Sequence, residues 1–194
     1  MLMKTKTIAT IAVFTAISVA LVLSPAKFPA PFAPFLKYQI WEIPIVAAFL
    51  LYGPSVGVSI TIMNTLVLLA VYPGDLPTGP LYNLVAVLST LLGVYIIQRF
   101  ANYFSRRPEI IVILSTAFGC VLRVVTMSVV NWAFLRYPWP IGYSLPAEAI
   151  VAMLPLIGLF NATLTLYTIP LGYAVSRAVS LGTNTLKWNV KSAS

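Results

Sequence analysis

The sequence predicts an all-α integral membrane protein: a bundle of six transmembrane helices with both termini in the cytoplasm. Three observations carry this. Hydrophobic residues fill 60% of the 194 positions and charged residues only 8%, where a soluble domain carries about 25% charged residues. Apolar runs near the roughly 20 residues needed to cross a bilayer recur along the chain. The basic residues flank those runs instead of gathering on one soluble face, which is how topology determinants are placed.

The first run, Thr7–Leu23, follows Lys4 and Lys6 and imitates a signal peptide. Ser24-Pro25-Ala26-Lys27 makes a poor cleavage site, and further spans follow, so it reads as a retained first helix. The second, Ile40–Tyr52, is short and carries Glu42 and Pro44. The third is Pro54–Tyr72, the fourth Leu81–Ile97, the fifth Ile110–Leu135 and the sixth Ala147–Ala178. Pro and Gly punctuate the breaks: Gly53-Pro54, the stretch Pro73 to Pro80, Arg106-Arg107-Pro108 and Tyr137-Pro138-Trp139-Pro140. Residues 1–180 thus form one six-helix domain. Residues 181–194 are a polar cytoplasmic tail that frays.

Six spans put both termini on one side. That side collects Lys4, Lys6, Arg99, Arg106, Arg107, Arg177, Lys187 and Lys191, and the other collects Lys27, Lys37 and Arg136. The positive-inside bias makes the first side cytoplasmic. The long Ser24–Lys37 and Arg136–Pro146 connections and the loop from Pro73 to Pro80 then lie outside. Rich in Pro and aromatics, they suit the rim of a pocket, or simply rigid turns.

The net charge of +8 does not point to nucleic acid, because the basic residues flank spans; a pull toward anionic lipid headgroups fits it better. With no His, the commonest metal ligand and general base is missing. Cys120 stands alone in an apolar run and reads as inert. There is no phosphate-binding glycine loop, no HExxH and no nucleophile elbow. These absences argue against an enzyme, against ATP hydrolysis by this chain and against a metal site.

Several residues stand out against the apolar background. Ala12, Ala16 and Ala20 share one face of the first helix. Small residues at that spacing admit a close helix, either a partner's or one of this bundle. Glu42 and Arg123 are costly in lipid and must face the interior or a water-filled cavity. Glu42 is placed to pair with a ligand or with Arg123, and both also suit a purely structural ion pair. Glu148 suits a helix N-terminus. Asn64, Asn83, Asn131 and Asn161 offer donors and acceptors to a neutral, polar-edged ligand. Trp41, Tyr82, Trp132, Trp139 and Tyr143 suit either a planar-ring pocket or an interfacial aromatic belt.

Five ordered stretches resemble the substrate-binding S-components of energy-coupling factor (ECF) vitamin transporters, nearest to the riboflavin type. They are the Ala12/Ala16/Ala20 face; Phe35-Leu36-Lys37-Tyr38-Gln39-Ile40-Trp41-Glu42-Ile43-Pro44 followed by Gly53-Pro54-Ser55-Val56-Gly57; Gly79-Pro80-Leu81-Tyr82-Asn83; Arg123 through Asn131; and Pro155 through Asn161. Riboflavin-type members usually carry an acid at the position of Gln39 and a lysine near that of Leu164, and this sequence has neither. The resemblance implies a vitamin, riboflavin or a related heterocycle, bound near the outer face under loops one, three and five. Together with the residues above it makes Gln39, Trp41, Glu42, Tyr82, Asn83, Arg123, Asn131 and Asn161 the candidate substrate-binding set. It implies docking of the alanine face on a transmembrane coupling T subunit driven by two cytoplasmic ATPases, no cofactor of the chain's own, and a multi-pass place in the cell membrane. A stand-alone transporter or channel is the alternative; the inverted repeats frequent in secondary carriers are not visible here.

Overall fold

A computed structural model describes residues 5–71, 74–100 and 107–183. Among them are six helices, α1 (Thr5–Leu23), α2 (Glu42–Tyr52), α3 (Pro54–Val71), α4 (Gly79–Arg99), α5 (Pro108–Phe134) and α6 (Ala147–Thr183). Each expected apolar run overlaps one of them, with bounds that differ by up to five residues. Lys4, Arg106, Lys187, Lys191 and residues 184–194 lie outside the described residues, as do Tyr72 and Pro73. The last helix runs through residues 181–183, three positions into the segment read as tail.

One expectation needs correction, and one loop carries structure that was not anticipated. Among the described residues only five helices are long and apolar enough to cross a membrane. The sixth, α2, has 11 residues, and at about 1.5 Å per residue it reaches only about half of a ~30 Å hydrocarbon core. It need not face lipid. Ile45, Val46, Ala47, Ala48, Phe49 and Leu51 are at most 2% exposed, and α1, α3, α4 and α6 all pack on α2. A helix apolar all round belongs in a core. The first long loop holds two short strands, which the sequence reading did not anticipate. β1 (Phe28–Ala30) and β2 (Ala33–Tyr38) form an antiparallel hairpin, with Phe28 opposite Tyr38 and a bulge between Pro29 and Ala30.

The breaks follow from backbone chemistry. Gly53 sits at φ 99° and returns its N–H to Phe49 O at 3.0 Å, closing α2; most side chains avoid that left-handed region. Pro54 then opens α3, where its missing donor costs nothing. α3 folds back on α2 so tightly that a Cβ on Gly57 would lie 2.6 Å from Phe49 Cβ.

α4 and α5 run antiparallel, matched at Tyr82 with Phe134, Thr90 with Arg123 and Gly93 with Gly119. α6 returns along α5, with Arg123 at the level of Asn161 and Ser115 at that of Tyr173. Tyr173 also receives Gln98 of α4. The outward surface is apolar: Val13 and Ile17 on α1, Leu66 on α3, and Val121, Val125 and Val129 on α5 are all exposed. On α1 the buried positions are Thr15, Ser18 and Val22, whereas Ala12, Ala16 and Ala20 are exposed. The alanine face is therefore turned away from the chain's own bundle.

Candidate functional site

The site is built around one buried ion pair. Glu42 lies in the first turn of α2, where a helix N-terminus favours negative charge. Arg123 reaches it from the middle of α5, with Nη1 on Glu42 Oε2 at 2.5 Å and Nη2 on Oε1 at 2.8 Å. Arg123 Nε donates to Asn161 Oδ1 at 2.9 Å, and Nη1 also reaches Thr90 Oγ1 at 3.4 Å. Asn161 uses its other end on Ile157 O at 2.9 Å. Glu42 and Arg123 are each 3% exposed. Two charges survive at such burial only when paired and hydrogen-bonded, and here one cluster spans α2, α4, α5 and α6.

Above this cluster lies a cavity of about 460 Å³, within the size range of small-molecule sites. All eight candidate residues line it: Gln39, Trp41 and Glu42 where β2 leads into α2; Tyr82 and Asn83 from α4; Arg123 and Asn131 from α5; and Asn161 from α6. Their polar groups differ in what is left to offer. Asn161 is engaged at both ends, its Oδ1 by Arg123 and its Nδ2 by Ile157 O. Asn131 donates Nδ2 to Met127 O at 2.7 Å, which leaves its Oδ1 unspent. Asn83 has no side-chain hydrogen bond among the described residues. Gln39 Oε1 is buried without a partner.

Two straps frame the mouth. The hairpin is tied to α6: Tyr38 Oη and Thr163 Oγ1 stand 2.6 Å apart, Tyr38 lies 5.0 Å from the Phe160 ring, and Tyr167 Oη donates to Gln39 O at 2.6 Å. The α5–α6 connection is held by its own backbone bonds, including Tyr143 N–H to Leu135 O and Ser144 N–H to Tyr137 O. It is tied to α4 by Thr78 Oγ1 on Pro140 O at 2.8 Å and Tyr82 Oη on Ile141 O at 2.9 Å. Lys37 and Asp75, of opposite sign and both exposed, also line the cavity.

Other singled-out residues fall elsewhere. Asn64 is buried on α3 away from the cavity, its Oδ1 unpartnered. Trp132 and Trp139 are exposed; Trp132 carries the Arg136 guanidinium 4.3 Å above its ring, as a belt residue can. Tyr143 lines the cavity. Glu148 stands in the first turn of α6. Cys120 is only partly buried.

Sequence reasoning missed Thr90, because a hydroxyl in an apolar run carries no distinguishing pattern. It also missed Met127, Met153 and Phe160 in the cavity wall; Phe160 was signalled only by its neighbour Asn161. Leu164, like Gln39, lines the cavity, so both departures from the riboflavin-type pattern fall on its wall. Among the described residues no three His, Cys, Asp or Glu side chains gather to hold a metal.

No family model matches the chain, and no curated protein matches it. Among solved structures it is similar to the S component of a bacterial ECF transporter, with a TM-score of 0.71 and 24% identity over 91% of this chain and 96% of the other. The chain shares the fold of that S component over 91% of its length.

Proposed function

We propose that this protein is the membrane-embedded, substrate-binding S-component of an ECF-type importer, taking up a vitamin or related heterocycle at the cell membrane. Riboflavin is the first ligand to test. The observation that carries the reading is the cavity: eight residues from four parts of the chain, selected without reference to geometry, line one space of about 460 Å³ in a fold shared with an S component. Flat aromatic walls and unspent amides suit a planar, polar-edged ring.

In this reading both termini face the cytoplasm and the straps face outward. The exposed Ala12/Ala16/Ala20 face docks on a transmembrane T subunit, and two ATPase subunits supply the energy. The chain acts by binding rather than by chemistry and needs no cofactor of its own.

The test is purification in mild detergent, mass spectrometry of whatever small molecule travels with the protein, and titration with riboflavin and other vitamins. Tight binding of one of them is the expected result. Binding of none, or uptake by liposomes holding this chain alone, overturns the proposal; the second result favours a stand-alone transporter.

A further inference from the structure

The two buried charges of the cavity, Glu42 and Arg123, are closed on each other, and this limits what can enter. Arg123 commits four of its five N–H groups: two to the Glu42 oxygens, one to Asn161 and one to Thr90. Each Glu42 oxygen already accepts one of those bonds. Each charge is neutralised by the other in a buried bidentate pair, so neither can become the full counter-ion of a ligand without breaking that pair. The remaining charged lining groups are Lys37 and Asp75, one of each sign. The polar groups still available are neutral: Asn131 Oδ1, the Asn83 amide and the Gln39 amide. Leu164, Met127, Met153 and Ile157 fill the wall between them.

We infer that the cavity takes a ligand of zero net charge, read by amides, and rejects the charged counterpart of the same ring, phosphate esters included. Beside the wall of Leu164, Met127, Met153 and Ile157, away from the exposed Lys37 and Asp75, a charged ligand would lose its hydration without gaining a counter-ion, a loss that amounts to several kcal/mol per ion and so corresponds to at least about a hundredfold in affinity. Asn131 and Asn83 supply selection by shape and hydrogen bonding, and the Glu42–Arg123 pair supplies a neutral floor. This rests on the S-component reading and adds to it the charge class of the substrate.

The test is a matched panel on the purified chain in nanodiscs: riboflavin against flavin mononucleotide, nicotinamide against nicotinate, with thiamine as a cation. Binding is read by calorimetry and by quenching of Trp41. An uncharged member binds, and its charged partner binds at least about a hundredfold more weakly. A charged member binding within tenfold of its neutral partner, or alone, overturns the inference and leaves the S-component reading standing. Binding of none overturns both. A second arm uses Glu42→Gln, which leaves Arg123 without its counter-ion. The ratio of anionic to neutral affinity then rises at least about tenfold; an unchanged ratio in a folded variant counts against the neutral-floor assignment.

Discussion

Gly93 of α4 meets Gly119 of α5 so closely that a Cβ on Gly93 would fall 2.5 Å from the Gly119 Cα. This contact lies about one turn from Thr90 and Arg123, which meet across the same seam. The close approach therefore sets the distance over which α4 can support the Arg123 cluster. Small residues are what allow helices in lipid to come this near.

The two glycines respond differently to a methyl group. Gly93→Ala collides with backbone and forces the helices apart, so it costs about 1–3 kcal/mol. Gly119→Ala meets mainly the tip of Ile169, at 2.7 Å, which can turn aside. The gain of about 0.5–1 kcal/mol in helix propensity offsets that strain. Thermal unfolding in detergent should show a clear drop for the first variant and little change for the second.

The ion pair behaves as one unit. Arg123→Met leaves the Glu42 carboxylate buried and alone, a loss of about 3–5 kcal/mol. Adding Glu42→Leu removes the stranded charge and recovers most of that loss. A double-mutant cycle on unfolding midpoints measures the coupling; two additive effects would mean that the pair does not hold the helices together.

On the proposed function the amides should separate into structural and ligand-reading groups. Asn131→Leu and Asn83→Leu each weaken ligand binding about tenfold, the scale of one hydrogen bond, with the unfolding midpoint held. Asn161→Leu lowers both, because Asn161 is bonded to Arg123 and to Ile157.

On the proposed function the strap tied by Thr78 and Tyr82 is expected to govern access more than affinity. Tyr82→Phe keeps the ring on the cavity wall but loses the bond to Ile141 O. Combined with Thr78→Val, it raises both association and dissociation rates several-fold in stopped-flow fluorescence, with Kd changed less than about threefold, since opening a lid shifts both rates together. The matching hairpin variant, Tyr38→Phe, removes a bond held on α6 beside two ring contacts and moves the rates less.

The alanine face reports on assembly. Ala16→Trp leaves folding and ligand binding intact, because Ala16 is exposed and turned away from the bundle. It abolishes co-purification with a T subunit; retained co-purification would place the docking surface elsewhere.

Most of the helices were legible because hydropathy acts locally: an apolar run bounded by Pro or Gly announces itself without knowledge of its neighbours. The hairpin was not, because Pro29 and Pro34 suppress a strand pattern and are tolerated only where no ladder bond is needed. The short α2 was read as a span because composition alone does not distinguish a helix sheathed by protein from one sheathed by lipid. Its shortness was visible in the sequence, but the four helices around it were not.

By itself the sequence determined that this chain is a helical membrane protein, which polar residues are too costly to face lipid, and which small residues share a face. Only the tertiary structure decided how those residues are used. Glu42 and Arg123 stand 81 positions apart, and their pairing follows from the packing of α2 and α5 each against α4 and α6. Ala12, Ala16 and Ala20 turn outward because Thr15, Ser18 and Val22 take the inner face. The cost of burying a charge or an amide belongs to each residue alone, but the partner that offsets it comes from another helix, and that is a property of packing.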